Sequence, residues 1–160
     1  MLREVEFFHG VLFARLIREV GSPLEISELP SSGQSAYLIQ SQLPLYIKYS
    51  TNRLTPWNFT FTVDHLAEMN TLLTRYGEFV LCLVCHEDGI VGLTALEVVR
   101  LVGPLTTPYR TASISVQRRR RELYGVRGSV GELDRKVSES TVIRLVLEAL
   151  SRPERANEKP

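Results

Sequence analysis

Apolar residues recur with a helical period over the first twenty positions. Val5, Phe8, Leu12 and Leu16 fall on one stripe, and Phe13, Ile17 and Val20 widen it. The pattern predicts an amphipathic helix over 2–20, ended by Gly21 and Pro23. The period then drops to two. Runs at 24–29, 35–40, 45–50 and 57–62 alternate or carry the aromatic and branched residues of strands, with a turn at Pro30-Ser31-Ser32-Gly33. Pro44 opens the third run, where no ladder donor is lost. Trp57, Phe59 and Phe61 share one face, expected to be buried.

A helix follows over 65–76, with Asp64 as its expected N-cap and Gly77 beyond its end. Residues 79–85 form an apolar strand, Glu87-Asp88-Gly89 a hairpin turn, and 90–93 the returning strand. Thr94 and Glu97 fit a capping box opening a helix to Val102, which Gly103 and Pro104 stop. A loop is expected over 104–111, strands at 112–116 and 123–126, a last helix at 142–150 and a frayed tail over 151–160. Short links between consecutive strands imply antiparallel pairing. The expected fold is α+β: one domain over 1–150, a mixed, mostly antiparallel sheet flanked by helices.

The length of 160 residues suits one domain with one real core. With 44% hydrophobic and 23% charged residues the chain reads as globular rather than disordered. Arg3, Glu4 and Glu6 at the start of the apolar stretch, with Arg15 and Arg18 interrupting it, do not fit a signal peptide, and no apolar run is long enough for a membrane span. The expectation is a cytoplasmic protein in a reducing setting, with no membrane contact. Cys82 and Cys85 lie three apart in a strand, so their sulfurs should face opposite sides and stay buried and inert.

Two stretches carry candidate chemistry. The first is Tyr37-Leu38-Ile39 and then Leu45-Tyr46-Ile47-Lys48-Tyr49-Ser50. A helix, a meander and a lysine in the third strand resemble the restriction-endonuclease-like superfamily over about residues 1–93. There a carboxylate, one spacer and a lysine share a strand face, the carboxylates holding a metal. Lys48 takes the lysine position. Tyr46 stands where Asp or Glu is expected, and Gln34 and Ser35 stand at the opening of the preceding strand. The resemblance therefore implies a non-catalytic relative with no metal and no cofactor. The stretch Tyr46-Ile47-Lys48-Tyr49-Ser50-Thr51, with Arg53, Pro56-Trp57-Asn58-Phe59-Thr60-Phe61, Cys85 and Asp88-Gly89-Ile90, also resembles a bacterial protein family of unassigned function. Lys48, Ser50 and Arg53 offer two cations and a hydroxyl, the donors a phosphate takes.

The second stretch is Arg118-Arg119-Arg120-Arg121. Residues 115–136 hold seven basic and three acidic side chains, a local +4, so the rest of the chain carries −3 of the +1 total. Four adjacent arginines should reach solvent. If 117–123 continues a strand, Arg118 and Arg120 share one face and Arg119 and Arg121 the other. With Arg127 they form a candidate phosphate-backbone contact. A solvated edge strand, its charges blocking aggregation, accounts for the same residues.

His9, His65 and His86 are scattered, and no nucleophile elbow, phosphate loop or dinucleotide fingerprint occurs. The sequence points away from an enzyme, towards a small DNA- or RNA-associated accessory module contacting phosphate through Lys48, Ser50, Arg53, Arg118, Arg119, Arg120, Arg121 and Arg127. The alternatives are a protein-interaction or homo-oligomeric scaffold, suggested by the apolar first and last helices, and an atypical metal-dependent nuclease using Glu4, Glu19 or Glu25.

Overall fold

In the computed structural model, which describes residues 1–106 and 110–153, α1 (Glu4–Val20) closes both of its own ends. Glu6 accepts the Arg3 backbone N–H at 2.8 Å, and Gly21 turns the chain away with φ 69°. Its buried stripe is His9, Leu12 and Leu16. The chain then meanders through β1 (Ile26–Leu29), β2 (Ala36–Ile39) and β3 (Leu43–Ser50), with a 3-10 turn at Ser32–Gln34. β4 (Trp57–Phe61) and α2 (Val63–Tyr76) follow, then the hairpin β5 (Val80–Cys85) and β6 (Gly89–Thr94). The chain ends with α3 (Ala95–Val102), β7 (Ala112–Gln117), β8 (Gly125–Gly128) and α4 (Thr141–Leu150).

The strands divide into two sheets. The larger has the order β1-β2-β3-β5-β6 and the smaller β4-β7-β8. Among the described strands only β3 and β5 pair in parallel, in the register Tyr46↔Leu81 and Ser50↔Cys85. The excursion through β4 and α2 supplies the long crossover a parallel pair needs. The fold is a single α+β domain with mixed, mostly antiparallel sheets flanked by helices.

Period two decides which core each strand residue enters. Tyr46, Leu81, Leu83, Cys85, Val91 and Leu93 face the smaller sheet, α2 and α3. Leu45, Ile47, Val80, Cys82, Val84 and Ile90 face α1 and α4. The large sheet is thus the middle layer of three. This explains the unbroken apolar run of β5, all six of whose residues are buried. At Gly92 a Cβ would come within 2.6 Å of the Val142 backbone, so α4 lies against β6 where only a glycine fits.

Several local expectations shift. Thr62, not Asp64, caps α2: its Oγ1 accepts the His65 N–H at 3.3 Å, and Asp64 lies in the first turn. The expected strand at 123–126 moves to β8, because Tyr124 instead bridges to Val137. The Thr94 capping box and the buried face of Trp57, Phe59 and Phe61 match the pattern. Cys82 and Cys85 are free, buried and on opposite faces, and burial raises both thiols, Cys85 to about 12. Residues 107–109 of the expected loop and 154–160 of the expected tail lie outside the described residues.

Candidate nucleic-acid interface

The arginine segment is the link of the β7–β8 hairpin. β7 ends at Gln117, which pairs with Gly125, so the expected strand through 117–123 does not form and the alternation of arginine faces does not apply. Arg118 also departs from the expectation that all four reach solvent. Its Nε lies 2.7 Å from Asp88 Oδ2, and its guanidinium stacks over the Tyr124 ring at 4.6 Å. Its side chain is 22% exposed. The Tyr124 hydroxyl donates to the same Asp88 carboxylate at 2.6 Å, and the Arg118 backbone N–H donates to Thr55 Oγ1 at 3.2 Å. Arg118 is thus the anchor of the loop.

Beyond the anchor the chain turns outward. The Glu122 N–H donates to the Arg119 carbonyl at 3.0 Å, and Arg121 sits in the left-handed region with φ 67°. Arg119, Arg120 and Arg121 are exposed. A cleft of about 680 Å³ runs alongside, lined in part by Arg119, Arg127, Arg135 and Lys136. Arg127 pairs with Glu132 at 3.4 Å and Lys136 with Glu122 at 3.3 Å, both near the surface. Among the described residues, Arg119, Arg120, Arg121 and Arg135 have no carboxylate within 4.0 Å.

Of Lys48, Ser50 and Arg53, only Lys48 lines the cleft beside β3. Lys48 and Ser50 share a face of β3 by period two. Lys48 lines a separate cleft that shares no residue with the arginine cleft. The buried Ser50 hydroxyl accepts the Asn52 N–H at 3.3 Å. Arg53 is exposed in the link between β3 and β4. That link is tied to the arginine hairpin through Thr55, two residues beyond Arg53.

No local sequence pattern marks Asp88, Tyr124 or Glu68 as site residues, and none pairs His65 with Lys48. Asp88 read only as a turn residue, and nothing in its local sequence signals a partner thirty residues on. His65 Nδ1 accepts the Thr62 N–H at 3.1 Å and lies 3.4 Å from Lys48 Nζ. Glu68 takes the Tyr46 hydroxyl and the Ser32 N–H, each at 2.5 Å. The carboxylates weighed for a nuclease do not converge. Glu4 and Glu19 are fifteen residues apart on α1, about 22 Å along its axis, and Glu25 is hydrogen-bonded to Ser41. Among the described residues no three His, Cys, Asp or Glu side chains group to hold a metal ion, and no helix is long and apolar enough to cross a membrane. No family model matches the chain, and no curated protein or solved structure does.

Proposed function

We propose that this protein is a small nucleic-acid-associated module that works by binding rather than cutting, with the turn after Arg118 as its phosphate-contacting surface. The observation that carries this is the division of labour within the arginine segment. Arg118 is consumed by Asp88 and Tyr124, which fixes the loop. Arg119, Arg120 and Arg121 are left exposed without carboxylate partners among the described residues. Adjacent unpaired cations on an anchored turn suit a polyanion, whose closely spaced charges they match. Arg135 and Arg127, which line the adjoining cleft, extend the surface. In this reading the endonuclease-like resemblance is that of a non-cutting relative. Tyr46 holds the place of the missing carboxylate, and its hydroxyl is bound to Glu68. Two buried, unpaired thiols go with a reducing, cytoplasmic setting.

The test is fluorescence anisotropy with short labelled DNA and RNA duplexes and single strands, comparing the wild-type chain with Arg119→Gln/Arg120→Gln/Arg121→Gln. The expected result is at least about tenfold weaker binding at low salt for every sequence tried, since phosphate contacts carry no base information. Unchanged affinity in the variant overturns the assignment. A second reading, self-association, is favoured by Phe7, Val11 and Ile17, which stand exposed on α1. A clean monomer by light scattering up to about 1 mM counts against it.

A further inference from the structure

The cleft beside Lys48 has no part in the arginine surface. It measures about 620 Å³ and is lined by Arg3, the turn over Ser32–Gln34, Lys48, Tyr49 and His65, among others. It opens where β2 stops and β3 continues: the last pair is Ala36↔Tyr46, and Ser35 takes the Ile47 N–H at 2.8 Å. Lys48, the next residue of β3, is half-buried. Its ammonium lies 3.4 Å from His65 Nδ1 and 5.5 Å from the centre of the Phe61 ring. The one lone pair of His65 Nδ1 already accepts the Thr62 N–H at 3.1 Å, so the longer Lys48 contact can only share it. Burial lowers the Lys48 pKa, and Glu68 partly offsets this.

The balance of charge at this point is unusual. Among the described residues no carboxylate lies within 4.0 Å of Lys48 Nζ. Glu68, the acid that acts on it, has its two oxygens occupied by Ser32 and Tyr46. Among the described residues Lys48 therefore has at most one of its three donors engaged, in the shared contact with His65. Arg3 adds a second cation to the lining, its guanidinium donating to Gln34 at 3.0 Å and lying 3.7 Å from Glu6. A partly desolvated cation with spare donors favours an anion of matching size.

We propose that this cleft binds a small phosphorylated molecule, its phosphate seated on Lys48 with Arg3 at the rim. Two cations fit an anion of more than one charge better than a single carboxylate. The space exceeds that of a bare ion and leaves room for an organic body. The site stands apart from the nucleic-acid reading and does not depend on it.

The experiment titrates the isotope-labelled 160-residue chain with glycerol 3-phosphate, inorganic phosphate and acetate, following backbone amide resonances. The expected result is saturable shifts at Ser32, Gly33, Gln34 and Lys48, with Kd for glycerol 3-phosphate at or below about 1 mM. Lys48→Gln weakens binding at least about tenfold, whereas Arg119→Gln/Arg120→Gln/Arg121→Gln leaves it within about twofold. Should Lys48→Gln fail to fold, Arg3→Gln, at an exposed residue, carries the test and is expected to weaken binding several-fold. No saturable shift up to about 20 mM overturns the proposal, as does wild-type affinity in the folded variant. Acetate binding as tightly as glycerol 3-phosphate overturns its phosphate class.

Discussion

Arg118 and its three neighbours are identical in sequence and opposite in use. Arg118 turns inward to an Asp88 carboxylate that also accepts the Tyr124 hydroxyl. Breaking such a half-buried pair strands a charge. Arg118→Gln should therefore cost about 1–2 kcal/mol in chemical denaturation. Asp88→Asn should cost about the same, and the double variant less than their sum. Additive losses would show that the two residues act separately. His9 gives a second expectation. It is buried, with Nδ1 2.8 Å from the Tyr37 hydroxyl, and desolvation lowers its pKa from 6.5 to about 4. The unfolded chain takes up this proton near pH 6.5 and the folded chain only near 4. Stability from this residue is complete above about pH 7 and falls with acidification, by about 2 kcal/mol at pH 5. Burial lowers His65 as well and acts in the same direction. Denaturation at pH 8, 7, 6 and 5 should show the loss, and His9→Gln should flatten it; an unchanged slope contradicts the assignment. At this scale the sequence is silent on direction. A run of arginines advertises solvent, and only the tertiary position of Asp88 reveals the exception.

At the scale of elements, two glycines make opposite predictions. Gly92 lies under α4, where a Cβ would meet the Val142 backbone. Gly92→Ala should destabilise by about 1–3 kcal/mol through overpacking. Gly10 lies within α1 with nothing within 4 Å of its Cβ position. Gly10→Ala should stabilise by about 0.5–1 kcal/mol. Thermal midpoints moving in the same direction would contradict the packing described for α4 on β6. Most helices and strands were legible because their periods and caps are local: the stripe of α1, the box at Thr94 and Glu97, the alternation of Trp57, Phe59 and Phe61. Where two local signals competed, the pattern misled. Thr62 and Asp64 are both good caps, and the choice fell to the residue whose hydroxyl meets the His65 N–H. Around Tyr124 the apolar residues favoured a strand, but long-range pairing with Val137 set the register.

At the scale of the whole molecule, the sequence led to the α+β class but not to the division into two sheets. β4 follows β3 by a short link yet pairs with β7, more than fifty residues on. No local period encodes that choice. It follows from burying the Trp57, Phe59 and Phe61 face against the large sheet. The same partition separates the two candidate sites. It sends Lys48 to a cleft beside α1 and α2, and ties the β3–β4 link at Thr55 to the arginine hairpin. The near-neutral total charge conceals this arrangement, because the local +4 is balanced elsewhere on the chain. The most direct test of the central claim is the salt dependence of nucleic-acid binding by the wild-type protein between about 50 and 200 mM monovalent salt. Arg119, Arg120, Arg121 and Arg135, without a carboxylate partner among the described residues, predict on contacting duplex phosphates a slope of log K against log salt of about −3 to −4. A slope near zero, or no binding at the lowest salt, would contradict it and leave the arginine turn a solvated surface.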